Sequence, residues 1–253
     1  MRNAPLFVFD LDNTLYPPEV PLWRIVDARI ERYVQEHLGT DPDTARRLRK
    51  RFLAEFGTTL RGLMHHHDVR PDHYLEYVHD VPIPEIVPPR PELREMLSGL
   101  PGRRVVFTNG SEGYARRVLR ALGVSEMMEG IYGIEFMEYV AKPSPYPYAK
   151  LLRATGARAE DSLFCEDSRA NLLPARELGM FTVWVGGNGE ESPASPVKGD
   201  RPWHSFRPHA VVEDVCDLPG VLHRFPPVAR GNGGGGKAGR PSTVPRRKIG
   251  GTG

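Results

Sequence analysis

Short runs dominated by apolar residues recur along the chain at Leu6-Phe7-Val8-Phe9, Arg104 to Phe107, Ile131 to Ile134, Leu163 to Cys165 and Phe181 to Val185. None alternates apolar with polar residues, so each reads as a strand buried on both faces. Helix-length segments separate them, and such spacing requires parallel pairing, because a parallel crossover consumes a dozen or more residues. The segments carry helix punctuation. Ser111 is placed to cap a helix with apolar positions at Ala115, Val118, Leu119 and Leu122, and Gly123 follows as a stop. The expected fold class is therefore α/β, a Rossmann-like doubly wound parallel sheet.

The stretch between the first two runs is different. From Pro17 to Pro88 it shows helical patterning alone. Trp23, Val26, Ile30, Tyr33, Val34 and Leu38 make one apolar stripe closed by Gly39; Asp43 is placed to cap a second helix running toward Gly57; Pro71 can start a third carrying Tyr74, Leu75 and Val78. So structured an insertion reads as a helical cap subdomain above the carboxyl ends of the strands. The expected organisation is a catalytic core over 1–16 and 89–226, the cap over 17–88, and a disordered, basic, Gly-rich tail over 227–253. Gly186 to Pro202, with Gly-Gly-Asn-Gly and Ser-Pro-Ala-Ser-Pro, reads as a loop.

Charge supports this division. The net charge of +2 combines a tail from Gly231 to Gly253, which has five basic residues, no acidic ones and nine glycines, with a preceding body of net charge −3. Arg246-Arg247-Lys248 is read as solvated, so no specific nucleic acid is expected. Two cysteines, Cys165 and Cys216, exclude a disulfide framework and a cysteine-based zinc site. No apolar run approaches the ~20 residues of a membrane span, and Met1 to Leu6 lacks a secretory signal, so a cytoplasmic protein with no membrane partner is expected, as monomer or homodimer.

Four segments carry chemistry. Asp10 and Asp12 follow the first strand two residues apart, so both can address one site. Two close carboxylates repel unless a cation or proton lies between them. Thr108-Asn109-Gly110-Ser111 brings a hydroxyl, an amide and backbone N–H groups to a helix N-terminus, where an anion can bind. Lys142 precedes Pro143-Ser144-Pro145; only six of the 34 basic residues are lysines, and a compact ammonium suits a phosphate oxygen or a carboxylate kept anionic. Glu166-Asp167-Ser168 supplies another acidic pair at a strand end, and Asp10 with Asp167 could hold a hard cation such as Mg²⁺.

In this order and context, Asp10-Leu11-Asp12-Asn13-Thr14, Thr108-Asn109, Lys142 and Glu166-Asp167-Ser168 resemble the four motifs of the haloacid dehalogenase-like hydrolase superfamily. Leu15-Tyr16-Pro17, Gly57 to Leu63, Tyr77-Val78-His79-Asp80, Asn171-Leu172 and Leu178-Gly179-Met180 are similar to its pyrimidine 5'-nucleotidase branch, a likeness running from about Leu6 to Leu222. The resemblance implies that Asp10 is the nucleophile forming an aspartyl-phosphate and Asp12 the general acid and base. It implies Mg²⁺ on the Asp10 carboxylate, the Asp12 carbonyl and the Asp167 carboxylate, with Glu166 supporting them from behind. Thr108, Asn109 and Lys142 would bind the phosphoryl group. Asp12 also sets the chain apart from the dehalogenases, which form no alkoxide and lack an acid there. Many relatives in this branch carry Asn-Ala at Asn109-Gly110 and His-Ala at Tyr114-Ala115, and several carry Asp-Asp-Ser at Glu166-Asp167-Ser168.

The implied activity is Mg²⁺-dependent hydrolysis of a phosphomonoester, first a pyrimidine nucleoside 5'-monophosphate. The alternatives are a phosphatase or mutase acting on a sugar phosphate or phosphoglycolate, and a non-catalytic binding protein on the same fold. Arg61, Tyr74 and Tyr77 are candidates for contact with a base, among the cap residues Trp23 and His79. His65-His66-His67 is not read as a metal site, since consecutive helical side chains diverge by about 100°.

Overall fold

The computed structural model describes residues 4–186 and 206–231. Its centre is a sheet in which every pairing is parallel. Strand β1 (Leu6–Phe9) lies between β2 (Arg103–Phe107) and β4 (Ser162–Glu166); β3 (Gly130–Tyr132) pairs outside β2, while β5 (Phe181–Val185) and β6 (Ala210–Val212) continue beyond β4. The third strand is shifted from its expected place, because Ile134 is buried in the following turn instead of the ladder. Phe7 and Phe9 join one apolar cluster and Leu6 and Val8 the other, so the strand alternation feeds a core on each face. Strand order reverses at β1, which opens a crevice at the carboxyl ends of β1, β2 and β4.

Between β1 and β2 the chain forms α1 (Leu22–Leu38), α2 (Pro42–Phe56), α3 (Thr59–His67) and α4 (Pro71–His79), then the short α5 (Ile83–Ile86) and α6 (Pro91–Ser98). Gly39 ends α1 at φ 60°. The cap of α2 is Asp41, not Asp43: Pro42 occupies the first helical position, and the Asp41 carboxylate accepts from the N–H of Asp43 and Thr44, 3.0 Å each. Helix α3, capped by Thr58, stands where no separate helix was expected. His65, His66 and His67 are exposed and pack around Phe52 and Phe56, His66 stacking on the Phe52 ring and meeting Phe56 edgewise.

Helices α7 (Glu112–Leu122), α8 (Pro145–Thr155) and α9 (Arg169–Glu177) follow β2, β3 and β4. The Ser111 hydroxyl caps α7 by accepting from Tyr114 N–H, and Gly123 ends it at φ 75°. A 3-10 segment, Val215–Arg224, precedes α10 (Pro226–Gly231). Helix α10 therefore occupies the first residues of the expected tail; the rest of it, 232–253, and the expected loop from 187 onward lie outside the described residues. No helix among the described residues is long and apolar enough to cross a membrane.

Candidate active site

The β1 ladder runs one residue past the strand: Asp10 N–H donates to Cys165 carbonyl at 2.9 Å, fixing Asp10 at the sheet edge. Lys142, in the turn after β3, reaches the same point. Its buried ammonium donates to Asp10 Oδ1 at 2.7 Å, Glu166 Oε2 at 2.7 Å and the Phe107 carbonyl at 2.8 Å. All three donors are thereby engaged. Burial works against the charge, but the two carboxylates outweigh it and raise the lysine above its ordinary value. Burial pushes Asp10 up to about 7 with help from Glu166, against the pull of Lys142; burial likewise takes Glu166 to about 7.

Three carboxylates converge beside this one ammonium. Asp10, Glu166 and Asp167 bring one ligand oxygen each within 4.8 Å of one another. Glu166 is already held by the protein: Oε1 accepts from Ser168 N–H at 3.2 Å and Asn171 Nδ2 at 3.1 Å, while Oε2 takes the lysine. A hard, all-oxygen donor set of three carboxylates fits a small divalent cation, and Asp10 with Asp167 is the pair it would use. Asn13 Nδ2 steadies Asp167 from 3.4 Å.

Thr108 is buried, and its hydroxyl oxygen accepts from Gly110 N–H at 3.0 Å, leaving its proton to donate. Asn109 departs from expectation. Its amide clamps the Lys142 backbone, Oδ1 accepting from Lys142 N–H at 2.9 Å and Nδ2 donating to Lys142 carbonyl at 3.1 Å. At most one side-chain N–H remains for a phosphate, so its main work is to hold the lysine turn against β2.

Asp12 sits on a separate network. Its Oδ1 accepts from Tyr114 Oη at 2.7 Å and from Tyr16 Oη. Burial and then Asp10 push Asp12 up to about 6, against the two phenols. The Tyr114 ring stacks on His79 at 4.3 Å, and His79 Nδ1 lies 3.1 Å from Ser111 Oγ. Burial and Arg117 hold His79 down to about 3, so its ring is neutral. Tyr16, Tyr114 and the fastening role of His79 were not expected from sequence.

A cavity of about 420 Å³ runs from these groups into the helical insert. Tyr74 lines it with Trp23 and His79, but Arg61 and Tyr77 do not. These two are corrections. Arg61 lies in the first turn of α3, rotated away from Thr58, Thr59 and Leu60, which do face the cavity. Tyr77 is turned onto α1: its hydroxyl donates to Glu36 at 2.7 Å and its ring lies 4.8 Å from the Arg29 guanidinium. Sequence reasoning also missed Arg49, whose Nη groups meet Asp27 and Glu31 at the cavity wall. The buried Ser168 hydroxyl, another lining group, has no hydrogen-bond partner among the described residues.

Residues 4–179 match the haloacid dehalogenase-like hydrolases. The chain belongs to that family. Over 237 residues it is 28% identical to phosphate metabolism protein 8 of Saccharomyces cerevisiae, covering 86% of this chain and 72% of the yeast protein. It is 27% identical over 113 residues to the pyrophosphatase PpaX of Halalkalibacterium halodurans, 44% of this chain and 48% of that one. Among solved structures, the magnesium-bound YfnB of Bacillus subtilis shares the fold with a TM-score of 0.56 at 15% identity, over 87% of this chain and 99% of YfnB.

A Cβ on Gly110 would stand 3.1 Å from Tyr114 Cδ1, so a tyrosine at 114 and a glycine at 110 belong to one packing solution.

Proposed function

We propose that this hydrolase is a Mg²⁺-dependent phosphomonoesterase working through an aspartyl-phosphate, with pyrimidine nucleoside 5'-monophosphates as preferred substrates. The observation that carries the reading is the division of labour between Asp10 and Asp12. Asp10 is bound by Lys142 at 2.7 Å, which favours its nucleophilic carboxylate form; Asp12 lies outside that contact, and burial with the neighbouring Asp10 favours its protonated form, which suits an acid. Asp10 would attack phosphorus while Asp12 protonates the leaving oxygen, and Asp12 would then take a proton from the water that cleaves the aspartyl-phosphate. The Thr108 hydroxyl, Lys142 and backbone N–H groups near the start of α7 would hold the phosphoryl oxygens. The Asp10 and Asp167 carboxylates and the Asp12 carbonyl would hold Mg²⁺, which when bound neutralises phosphate charge.

The yeast relative's name, phosphate metabolism protein, and the pyrophosphatase PpaX support phosphoryl chemistry. The cavity supports a leaving group larger than a small alcohol: Trp23 and Tyr74 offer aromatic surface, and Arg49 offers polar donors for a base edge. The same polar wall also suits the hydroxyls of a sugar phosphate, which is the second reading.

Phosphate release from UMP, CMP, AMP, small sugar phosphates and phosphoglycolate, with and without Mg²⁺, tests both. The expected result is Mg²⁺-dependent turnover fastest on UMP and CMP. Comparable rates on every substrate would sink the pyrimidine preference. If no phosphomonoester is hydrolysed and Asp10→Asn changes nothing, the chain is a binding protein on this fold.

A further inference from the structure

We infer that Tyr16 and Tyr114 are positioning residues that direct the proton of Asp12: two phenols donating to one carboxylate oxygen confine the transferable proton to the other, and His79 of the helical insert holds one phenol in place. The inference rests on the phosphomonoesterase reading and deepens it.

A carboxyl group has two equivalent oxygens, and an unconstrained acid carries its proton on either. Asp12 is constrained. Tyr114 Oη donates to Oδ1 at 2.7 Å and Tyr16 Oη donates to the same atom, so both lone pairs of Oδ1 have partners. A proton on Oδ1 would displace one phenol from a charged acceptor it holds in a site closed to water, since both tyrosines are almost fully buried. The acid form of Asp12 therefore carries its proton on Oδ2.

The phenols are themselves held. Tyr16 belongs to the apolar cluster on one face of the sheet. Tyr114 is gripped from three sides: its N–H donates to Ser111 Oγ at 3.2 Å, its ring stacks on His79 with an interplanar angle of 16°, and Gly110 leaves room for the ring. His79 closes α4 and is tied to α7 twice, through Ser111 Oγ at its ring and through Arg117, which donates to its carbonyl. The insert is thus fastened to the residue that orients the acid, so a change in packing at His79 or Gly110 reaches Asp12 through Tyr114.

The step balances simply. An oxygen of Asp10 forms a bond to phosphorus as the bond from phosphorus to the leaving oxygen breaks; that electron pair stays on the leaving oxygen, which takes the Oδ2 proton of Asp12. Asp12 is left as a carboxylate whose charge the two phenol donors stabilise. Water then gives a proton back to Asp12 as its oxygen attacks phosphorus, and Asp10 leaves as a carboxylate with release of phosphate.

A residue acting through the acid should matter most where the leaving group needs a proton. The test measures kcat/KM, which reports phosphoryl transfer to Asp10, for the full chain with Mg²⁺ on p-nitrophenyl phosphate, whose phenolate leaves readily, and on two alkyl phosphates, UMP and glycerol 2-phosphate. Tyr16→Phe and Tyr114→Phe are each expected to raise the nitrophenyl-to-alkyl ratio about tenfold, and the double variant more, within the roughly 10²–10⁴-fold range of acid catalysis. Gly110→Ala keeps both hydroxyls but crowds the Tyr114 ring, and should shift the ratio the same way; it carries the test if a tyrosine variant fails to fold, as judged by a thermal melt. Equal losses on all three substrates in the folded variants would mean that the phenols merely support the fold, and would overturn the inference. A wild-type chain that hydrolyses none of the three would instead overturn the phosphomonoesterase reading itself.

Discussion

Lys142 shows how much one residue fixes. Its ammonium lies 2.7–2.8 Å from three oxygens and 5.2–5.3 Å from the ring centres of Phe164 and Phe107, with almost no exposure. The site fits a point charge with three radiating donors; a planar guanidinium cannot aim its fork at three converging oxygens without moving the rings. Lys142→Arg should therefore lower kcat by about 10²–10³-fold, the usual effect of removing one preorganised donor. It should also lower the melting temperature, because Asp10 and Glu166 would lose a buried partner. Steady-state kinetics and a thermal melt check both; activity within threefold of wild type would show that any positive charge suffices. The neighbouring carboxylates divide just as sharply: Glu166, with both oxygens held by protein donors, works as a brace for the lysine, and Asp167 faces the acidic centre.

Elements announced themselves where their signals are local. Helices α1 and α7 were legible because an apolar stripe ends at a glycine of positive φ, and β1, β4 and β5 because strands buried on both faces leave uninterrupted apolar runs. Helix α3 was hidden: nine residues that include Gly62 and three histidines have weak intrinsic preference, and the helix is secured by packing on α2. Strand β6 escaped notice because it is three residues long with Val211 exposed. The site follows the same division. Among the candidate site residues, Asp10, Thr108 and Asp167 sit just beyond a strand and Glu166 ends one, while Lys142, in a turn well past β3, stood out as a lysine among arginines ahead of Pro143; Tyr114 instead lies on the apolar face of an amphipathic helix and looks like core until Asp12 is placed opposite. The contact between α2 and α3 can be tested directly. A Cβ on Gly62 would meet Phe52 Cγ at 2.2 Å, while one on Gly113 in α7 meets nothing within 4 Å. Gly62→Ala should destabilise by about 1–3 kcal/mol despite alanine's better helix propensity, and Gly113→Ala should stabilise by about 0.5–1 kcal/mol. Denaturant unfolding with an unchanged slope would read both; a stable Gly62→Ala protein would show that the two helices are free to separate.

For the whole molecule, the acidic centre couples stability to pH and would couple it to a bound cation. Asp10 and Asp12 rise from 3.8 to about 7 and about 6, and Glu166 from 4.5 to about 7, each chiefly through burial. An acid raised on folding holds its proton to higher pH in the folded chain, so across that window the folded state binds more protons and stability falls as pH rises. Groups lowered by surface partners, such as Asp41, Asp72 and Glu138, act below their ordinary values and lie outside the window. His79 opposes: lowered from 6.5 to about 3, it gives stability that grows with pH through this range. Comparing the chain in excess Mg²⁺ with the chain in EDTA cancels the histidine, because only the carboxylates exchange protons for metal. The melting temperature in EDTA should drop between pH about 5 and about 7.5, since three raised carboxyls outnumber one buried imidazole. The increase produced by Mg²⁺ should be small near pH 5, where protons already neutralise the centre, and larger near pH 7.5. Scanning calorimetry at the two pH values decides it: an Mg²⁺ effect that is equal at both, or larger in acid, would mean that the cation binds away from Asp10 and Asp167.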